Sequence, residues 1–416
     1  MTQKKKILMM CDHPLATSGV ATQARYLING LVATGRYTFR CFGGAMHHDN
    51  MDVIKVNEDF IIKPTIGFGD KNSLRLFLAQ EKPDAILLFT DPRFFTWVWE
   101  IEDEVHQVCP IAYNHLWDNP PVPTFNKVLY DSTDLINCIN YPTYEMVSGM
   151  FPEKTNYVPH AIPPEVFYRM KDEEIRSWKL QLLGQNRADH FVVTYVSRNA
   201  RRKMPSDVIL SFKMFLDRLE AKTGKRNASL LMHTDPLDVE GPNLHQVIET
   251  FGVIDNVIFS KERLGFAEMN TIYNISDVVV NRSCNEGFGL SVLEAKMTET
   301  PCVAIKTGGL TRQIEDHETG EQYGIALEPN VRSLVGNQAI PFIYEDFVSH
   351  ESVTDALEEV FGWGEEKRRE VGRRSRNHAM KHYNIENLIS TWDKTLTTLT
   401  EQWHENKPKR WEMIEL

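Results

Sequence analysis

"NRSCNEGFGLSVLEAKMTETPCVAIKTGGL", residues 281–310, decides the architecture. The apolar run 278–281 just ahead of it leads into a tight loop holding Gly287 and Gly289. Leu290, Leu293 and Met297 then recur at helical spacing, and residues 301–305 form a second apolar run. That order reads as a strand, a crossover helix and a parallel strand. In such a unit the loop lies at the carboxyl end of the sheet, where glycines let backbone N–H groups approach an anion at the helix N-terminus. The same stretch holds Glu286 and Glu294. Carboxylates repel a phosphate, so the pair is read as accepting hydrogen bonds from hydroxyl groups, as a sugar or a ribose offers them. For either glutamate alone, a solvated position with no function is the commoner outcome.

Outward from this stretch the same rhythm repeats. The first half alternates "KKILMMC", a helix in which Val20, Ala24, Leu27, Ile28 and Leu31 share one face, and then "FRCFG", "AILLF", "CPIAYNH" and "LINCIN". After the break "HAIPPEVF" the alternation restarts with "FVVTYVS", "SLLMHT", "DVVVN" and "PCVAI". Continuous apolar strands separated by helices predict parallel sheets covered on both faces. The expected fold is α/β, two facing Rossmann-like domains with a central cleft. Residues 1–160 form the first and 165–390 the second, with a helix over about 392–416 packing back on the first. The stretch around 325–350 breaks the rhythm and reads as an insertion near that cleft.

Composition sets bounds. A chain of 416 residues is too long for one ordinary core. No run approaches the roughly 18 apolar residues of a membrane helix, and the apolar stretch after the basic start is too short for a signal peptide, so a cytoplasmic protein is expected. Six cysteines lie scattered without Cys-x-x-Cys spacing, mostly in strand-like runs, and read as buried thiols. The net charge of −11 weighs against tight nonspecific binding to nucleic acid or an anionic membrane.

Three further clusters carry chemistry. Arg198 and Lys203 follow the first strand of the second half, before a helix, where cations can neutralise a diphosphate; solvated loop charges are the bland alternative. Gly19 lies between the first strand and the first helix, without the G-x-G-x-x-G fingerprint of a nicotinamide dinucleotide site. Asn114, His115 and Asp118 end a strand in a proline-rich loop, where a histidine can orient a hydroxyl or share a proton, though a satisfied structural histidine is commoner. His47, His48 and His350 show no metal-ligand spacing, and Asp-x-Asp occurs nowhere, so no metal site is expected.

Together these residues resemble the retaining glycosyltransferases of family 4, which have the GT-B fold. The resemblance is closest over residues 190–320. Ser197-Arg198 and Lys203-Met204 stand where the family has Gly-Arg and Lys-Gly, "RSCNEGFG" matches its Pro-Ser-x-x-Glu-Gly-Phe-Gly, and "PCVAIKTGGLTRQI" matches its Gly-Gly segment. Arg282 replaces the motif's proline, and Arg312 and Gln313 stand where a glutamate is common. The resemblance implies a transfer from a nucleoside-diphosphate sugar, UDP-linked by preference, to an acceptor hydroxyl with retention and without a required cofactor or metal. It gives Arg198 and Lys203 the diphosphate, Glu286 the transferred sugar, Glu294 the ribose, and the Phe288-Gly289-Leu290 backbone the sugar and phosphate. His115 would act on the sugar side; Gly19 takes the place of the family's glycine loop, and Asn114 and Asp118 are acceptor-side candidates. Roughly two helical turns, about 11 Å, would separate the two glutamates if their segment is largely helical. The acceptor is expected to be a glycan or small glycoside, with a modified nucleic-acid base as an alternative. A sugar-nucleotide epimerase on the same fold and a binding module without catalysis are the competing readings.

Overall fold

The structure, a computed structural model, describes residues 4–260 and 263–406. It divides into two compact units. The first comprises Met1–Trp117, Val122–Ala161 and Ile385–Leu416; the second comprises Asp118–Pro121 and Ile162–Asn384.

The first unit holds β1 (Lys5–Asp12), β2 (Tyr37–Gly44), β3 (Ile54–Asn57), β4 (Phe60–Pro64), β5 (Ala85–Thr90), β6 (Ile111–His115), β7 (Leu135–Cys138) and β8 (Thr155–Tyr157). They form one sheet in the order β3-β4-β2-β1-β5-β6-β7-β8, parallel except for the β3–β4 pair. The unbroken apolar run of β1 has a simple cause: Ile7, Met9 and Cys11 enter the core on one face, Leu8 and Met10 the core on the other. All six cysteines are buried free thiols.

The helix Ile385–Asn406 completes the first of those cores with Leu388, Trp392 and Leu396. Gly30 is what lets it approach, since a Cβ there would lie 2.2 Å from Cδ1 of Ile389. Tyr37 seals the contact by donating its hydroxyl to Asp393 at 2.9 Å. The helix begins ahead of the expected 392, and residues 407–416 of that expectation lie outside the described residues.

The second unit holds β9 (Phe191–Val196), β10 (Ala228–His233), β11 (Val257–Phe259), β12 (Val278–Asn281), β13 (Cys302–Ile305) and β14 (Gly324–Leu327), parallel throughout in the order β11-β10-β9-β12-β13-β14. β15 (Val331–Val335) and β16 (Ile343–Phe347) form a separate antiparallel hairpin, which is the irregular stretch of the sequence. The four residues 118–121 join this unit because Asn119 is bonded into it. Its Nδ2 donates to Oγ1 of Thr307 at 2.8 Å and to the carbonyl of Tyr344 at 3.1 Å, while the carbonyl of Pro120 accepts from N of Tyr344 at 2.8 Å. Among the described residues no helix is long and apolar enough to cross a membrane.

Candidate functional site

Strand order fixes where a site can form in the second unit. From β9 the chain runs outward to β10 and β11, then returns to β12 on the other side of β9 and runs to β13 and β14. The loops after β9 and β12 therefore part at the point where the order reverses, the place where open α/β sheets bind ligands.

The loop after β9 is a 3₁₀ turn, Arg201–Lys203, followed by Met204 at φ 53°, ψ 42° and then the helix Pro205–Thr223. A left-handed methionine costs about 1–2 kcal/mol relative to glycine, which explains why the resembled family has glycine there. The tight reversal turns Lys203 inward. Its Nζ pairs with Oε2 of Glu286 in the loop after β12, and both side chains are nearly buried. Ser283 Oγ donates to the same oxygen at 3.3 Å. The loops are also joined by main chain, with N of Cys284 bonded to the carbonyl of Arg202 at 2.9 Å and Nη1 of Arg202 donating to the carbonyl of Asn285 at 3.1 Å. Burial pushes the Glu286 carboxyl up, but the charges of Lys203 and Arg202 outweigh it and hold the group below its usual value. Burial dominates for Lys203 and leaves its ammonium below the usual lysine range.

A second glycine loop, after β13, closes on the first. N of Gly309 donates to the carbonyl of Glu286 at 2.9 Å. A Cβ on Gly309 would lie 2.4 Å from Cα of Phe288, and one on Gly308, which has φ 46°, would lie 2.1 Å from the carbonyl oxygen of Glu286. The approach is backbone on backbone and only glycine permits it. Gly289, at φ 92°, starts the helix Leu290–Met297 without a side-chain cap, so its leading N–H groups remain available to an anion. The Phe288 ring is buried edge-on against Tyr383, and its carbonyl accepts from Nε2 of Gln313 at 2.6 Å.

Glu294, one turn into that helix, accepts from the Tyr273 hydroxyl at 2.6 Å, and burial raises its carboxyl to about 7. The native state thus binds this proton more tightly than the unfolded chain, and stability falls as pH rises from the ordinary glutamate range through 7. Glu294→Gln should therefore raise Tm by several degrees at pH 8, an effect of about 2 kcal/mol for a partly exposed group, and leave it unchanged at pH 4. Thermal denaturation at the two pH values checks this; an equal shift at both contradicts it.

The structure corrects several sequence-based placements. Glu286 lies in the loop and the helix begins only at Leu290, so the two glutamates are not separated by two helical turns. The Arg198 guanidinium is half exposed and engaged by Asp238 at 2.7 Å and Glu240 at 3.1 Å; Arg202 is the second cation beside Glu286. Asp118 joins the second-unit site, 3.8 Å from Arg202. Asn114 and His115 are instead buried in the first unit. His115 Nε2 is 2.7 Å from the Tyr130 hydroxyl, the ring stacks on Tyr113, and burial holds it neutral with a pKa of about 3. Its Nδ1 is a buried atom with no hydrogen-bond partner. Gly19 starts its helix behind Ser18, whose Oγ accepts from N of Ala21 and donates to Asp12. A capped N-terminus beside a carboxylate is a poor anion site.

Sequence reasoning missed Arg202, which the run "RRK" contained, and the buried acids of the hairpin. Asp346 accepts from Arg332 at 2.6 Å and from Thr307 at 2.8 Å, and its N donates to the carbonyl of Cys284 at 2.7 Å. Glu345 pairs with Arg201. The hairpin therefore braces the loop that carries Glu286.

Residues 184–336 match the family model described as glycosyl transferases group 1. The D-inositol 3-phosphate glycosyltransferase of Stackebrandtia nassauensis is 32% identical over 178 residues, covering 41% of this chain and 37% of that protein. The N-acetyl-alpha-D-glucosaminyl L-malate synthase of Bacillus anthracis is 23% identical over 278 residues, 65% of this chain and 62% of that protein. The chain thus spans less than two thirds of the length of these relatives. Among solved structures, sucrose-phosphate synthase from Thermosynechococcus elongatus superposes with a TM-score of 0.74 at 17% identity, over 96% of this chain and 100% of that one. Anabaena HepE in complex with UDP and glucose does so with 0.69 at 16%, over 95% and 100%. The chain has the GT-B fold of these structures, and the match to the family model lies within the second unit, over residues 184–336.

Proposed function

We propose that the chain transfers a sugar from a nucleoside-diphosphate sugar, UDP-linked by preference, to a hydroxyl of a small polyhydroxy acceptor, with retention at the anomeric carbon. The observation that carries this reading is the buried Lys203–Glu286 pair at the reversal of strand order, with an uncapped helix N-terminus beside it. In this reading the diphosphate lies on the N–H groups of Leu290 and Ser291 and against Lys203, with Arg202 adding charge and Arg198 exchanging Asp238 for phosphate. Glu294 accepts from the ribose hydroxyls and Glu286 from the transferred sugar. The bond from the anomeric carbon to the diphosphate breaks, the acceptor oxygen bonds to that carbon, and its proton leaves with the departing phosphate oxygen. Positioned charge supplies most of the catalysis. Support for the donor comes from the UDP complex of the HepE structure. The named relatives point to inositol phosphate, malate and sugar-phosphate acceptors, none of which is a nucleic-acid base.

The test is a transfer assay with UDP-sugars and an acceptor panel, run on the wild type, Glu286→Gln and Glu294→Gln. UDP release should require an acceptor. Glu286→Gln should lower kcat at least about tenfold with UDP affinity retained, and Glu294→Gln should mainly raise the donor KM. An altered nucleotide sugar formed from donor alone would make the chain an epimerase. Loss of UDP affinity in Glu286→Gln with only kcat lost in Glu294→Gln would exchange the two roles.

A further inference from the structure

Behind the glycine loops, on the far end of the last helix of the second unit, lies a polar cluster that the transfer reading does not use. The helix Gly364–His382 carries His378 and His382 four residues apart, which puts both rings on one face. Facing them is Asp316. Its Oδ1 is taken by the N–H groups of Glu318 at 2.8 Å and Thr319 at 3.0 Å, while its Oδ2 lies 3.8 Å from Nε2 of His378 and 3.8 Å from Nε2 of His382. The Tyr323 hydroxyl reaches that oxygen only at 3.5 Å. Asp316 and His378 are buried, and Nε2 of His382 is a buried atom with no hydrogen-bond partner. An unsatisfied ring nitrogen aimed at a carboxylate costs free energy that nothing in the fold returns.

We propose that Asp316, His378 and His382 form a site for a divalent transition metal, zinc foremost. Their ligand atoms lie within 4.8 Å of one another. A tetrahedral zinc with bonds of 2.0–2.2 Å needs about 3.4 Å between ligands, so shifts of well under an ångström in the two 3.8 Å separations bring Asp316 to both rings. Lys296 Nζ, which donates to the carbonyl of Gln313, lies 2.8 Å from Nδ1 of His378; a metal on Nε2 puts that ring's proton on Nδ1, so one proton must leave this contact when the ion binds. The lysine beside the ring opposes a dication, so the affinity is lower than that of a closed structural site. Three protein ligands leave a fourth position for water, flanked by His317, whose ring lies 5.9 Å from that of His382. The ion ties the helix to the Asp316 turn. Because Tyr383, the next residue after His382, packs on Phe288, it stiffens the back of the glycine loop without entering the chemistry.

The test uses the full chain stripped with a chelator and titrated with zinc chloride by calorimetry, with Tm followed in parallel. Expected are one equivalent bound saturably and a Tm raised by the metal. His382→Ala removes an unpartnered nitrogen together with a ring that packs 4.5 Å from that of His378, and His382→Gln keeps most of that packing; in both, the affinity should fall at least tenfold and the metal-induced Tm rise should vanish. His350→Ala, outside the cluster, should bind as the wild type. As a second readout, cobalt bound to the wild type should show the absorption bands of a tetrahedral site. Absence of saturable binding in the wild type, or binding by His382→Ala equal to wild type, overturns the site. Neither readout involves sugar transfer, so the result stands apart from the proposed reaction.

Discussion

Lys203→Ala is expected to lower kcat/KM for the donor by at least about a hundredfold and to destabilise the second unit. Lys203 and Glu286 are nearly dry, with side-chain exposures of 9% and 13%. Removing one partner of such a pair leaves the other charge buried and unpaired, which costs about 3–5 kcal/mol. The catalytic loss has a separate origin, since in the proposed reaction the ammonium that pairs with Glu286 is the counter-charge of the departing diphosphate. The double variant Lys203→Ala/Glu286→Ala separates the two effects, because it removes both charges and should recover part of the lost Tm while regaining no activity. Turnover of Lys203→Ala within about threefold of wild type would end the assignment.

Gly309→Ala is expected to abolish measurable donor binding through geometry alone. The new Cβ would sit 2.4 Å from Cα of Phe288 and 2.6 Å from the carbonyl oxygens of Gly287 and Phe288, all of them backbone atoms that cannot swing aside. The strand-end loop must move, and with it the 2.9 Å bond from N of Gly309 to the main-chain carbonyl of Glu286. Overpacking of this kind costs about 1–3 kcal/mol. Gly362→Ala, where a Cβ meets nothing within 4 Å, is the control and should behave as wild type. Calorimetry with UDP and a thermal melt decide the matter; a Gly309→Ala protein with both values unchanged would refute the interlock.

What was legible follows from which forces are local. Continuous apolar runs such as "ILMMC" announce strands buried on both faces, and they disclose a parallel sheet without disclosing which face meets which helix. His115 shows the limit. At the end of such a run nothing local distinguishes a side chain open to solvent from one roofed by Tyr130, and the roof comes from a later helix. Lys203 was legible through its spacing before a helix, but the choice between Arg198 and Arg202 as its companion depends on Asp238 and Glu240, forty residues away in the chain. The Asn119, Thr307 and Asp346 network is wholly non-local. The His378 and His382 spacing was present in the sequence, and only folding supplies its carboxylate.

The helix Ile385–Asn406 has a consequence for the making of the protein. When residues 1–161 leave the ribosome, one side of their sheet still lacks Leu388, Trp392 and Leu396, and the whole of the second unit must be translated before these arrive. At roughly 5–20 residues per second that interval is on the order of ten seconds or more. For that time the nascent chain carries an uncovered apolar face, so the unit begun first is finished last, and its maturation depends on whatever shields that face in the meantime.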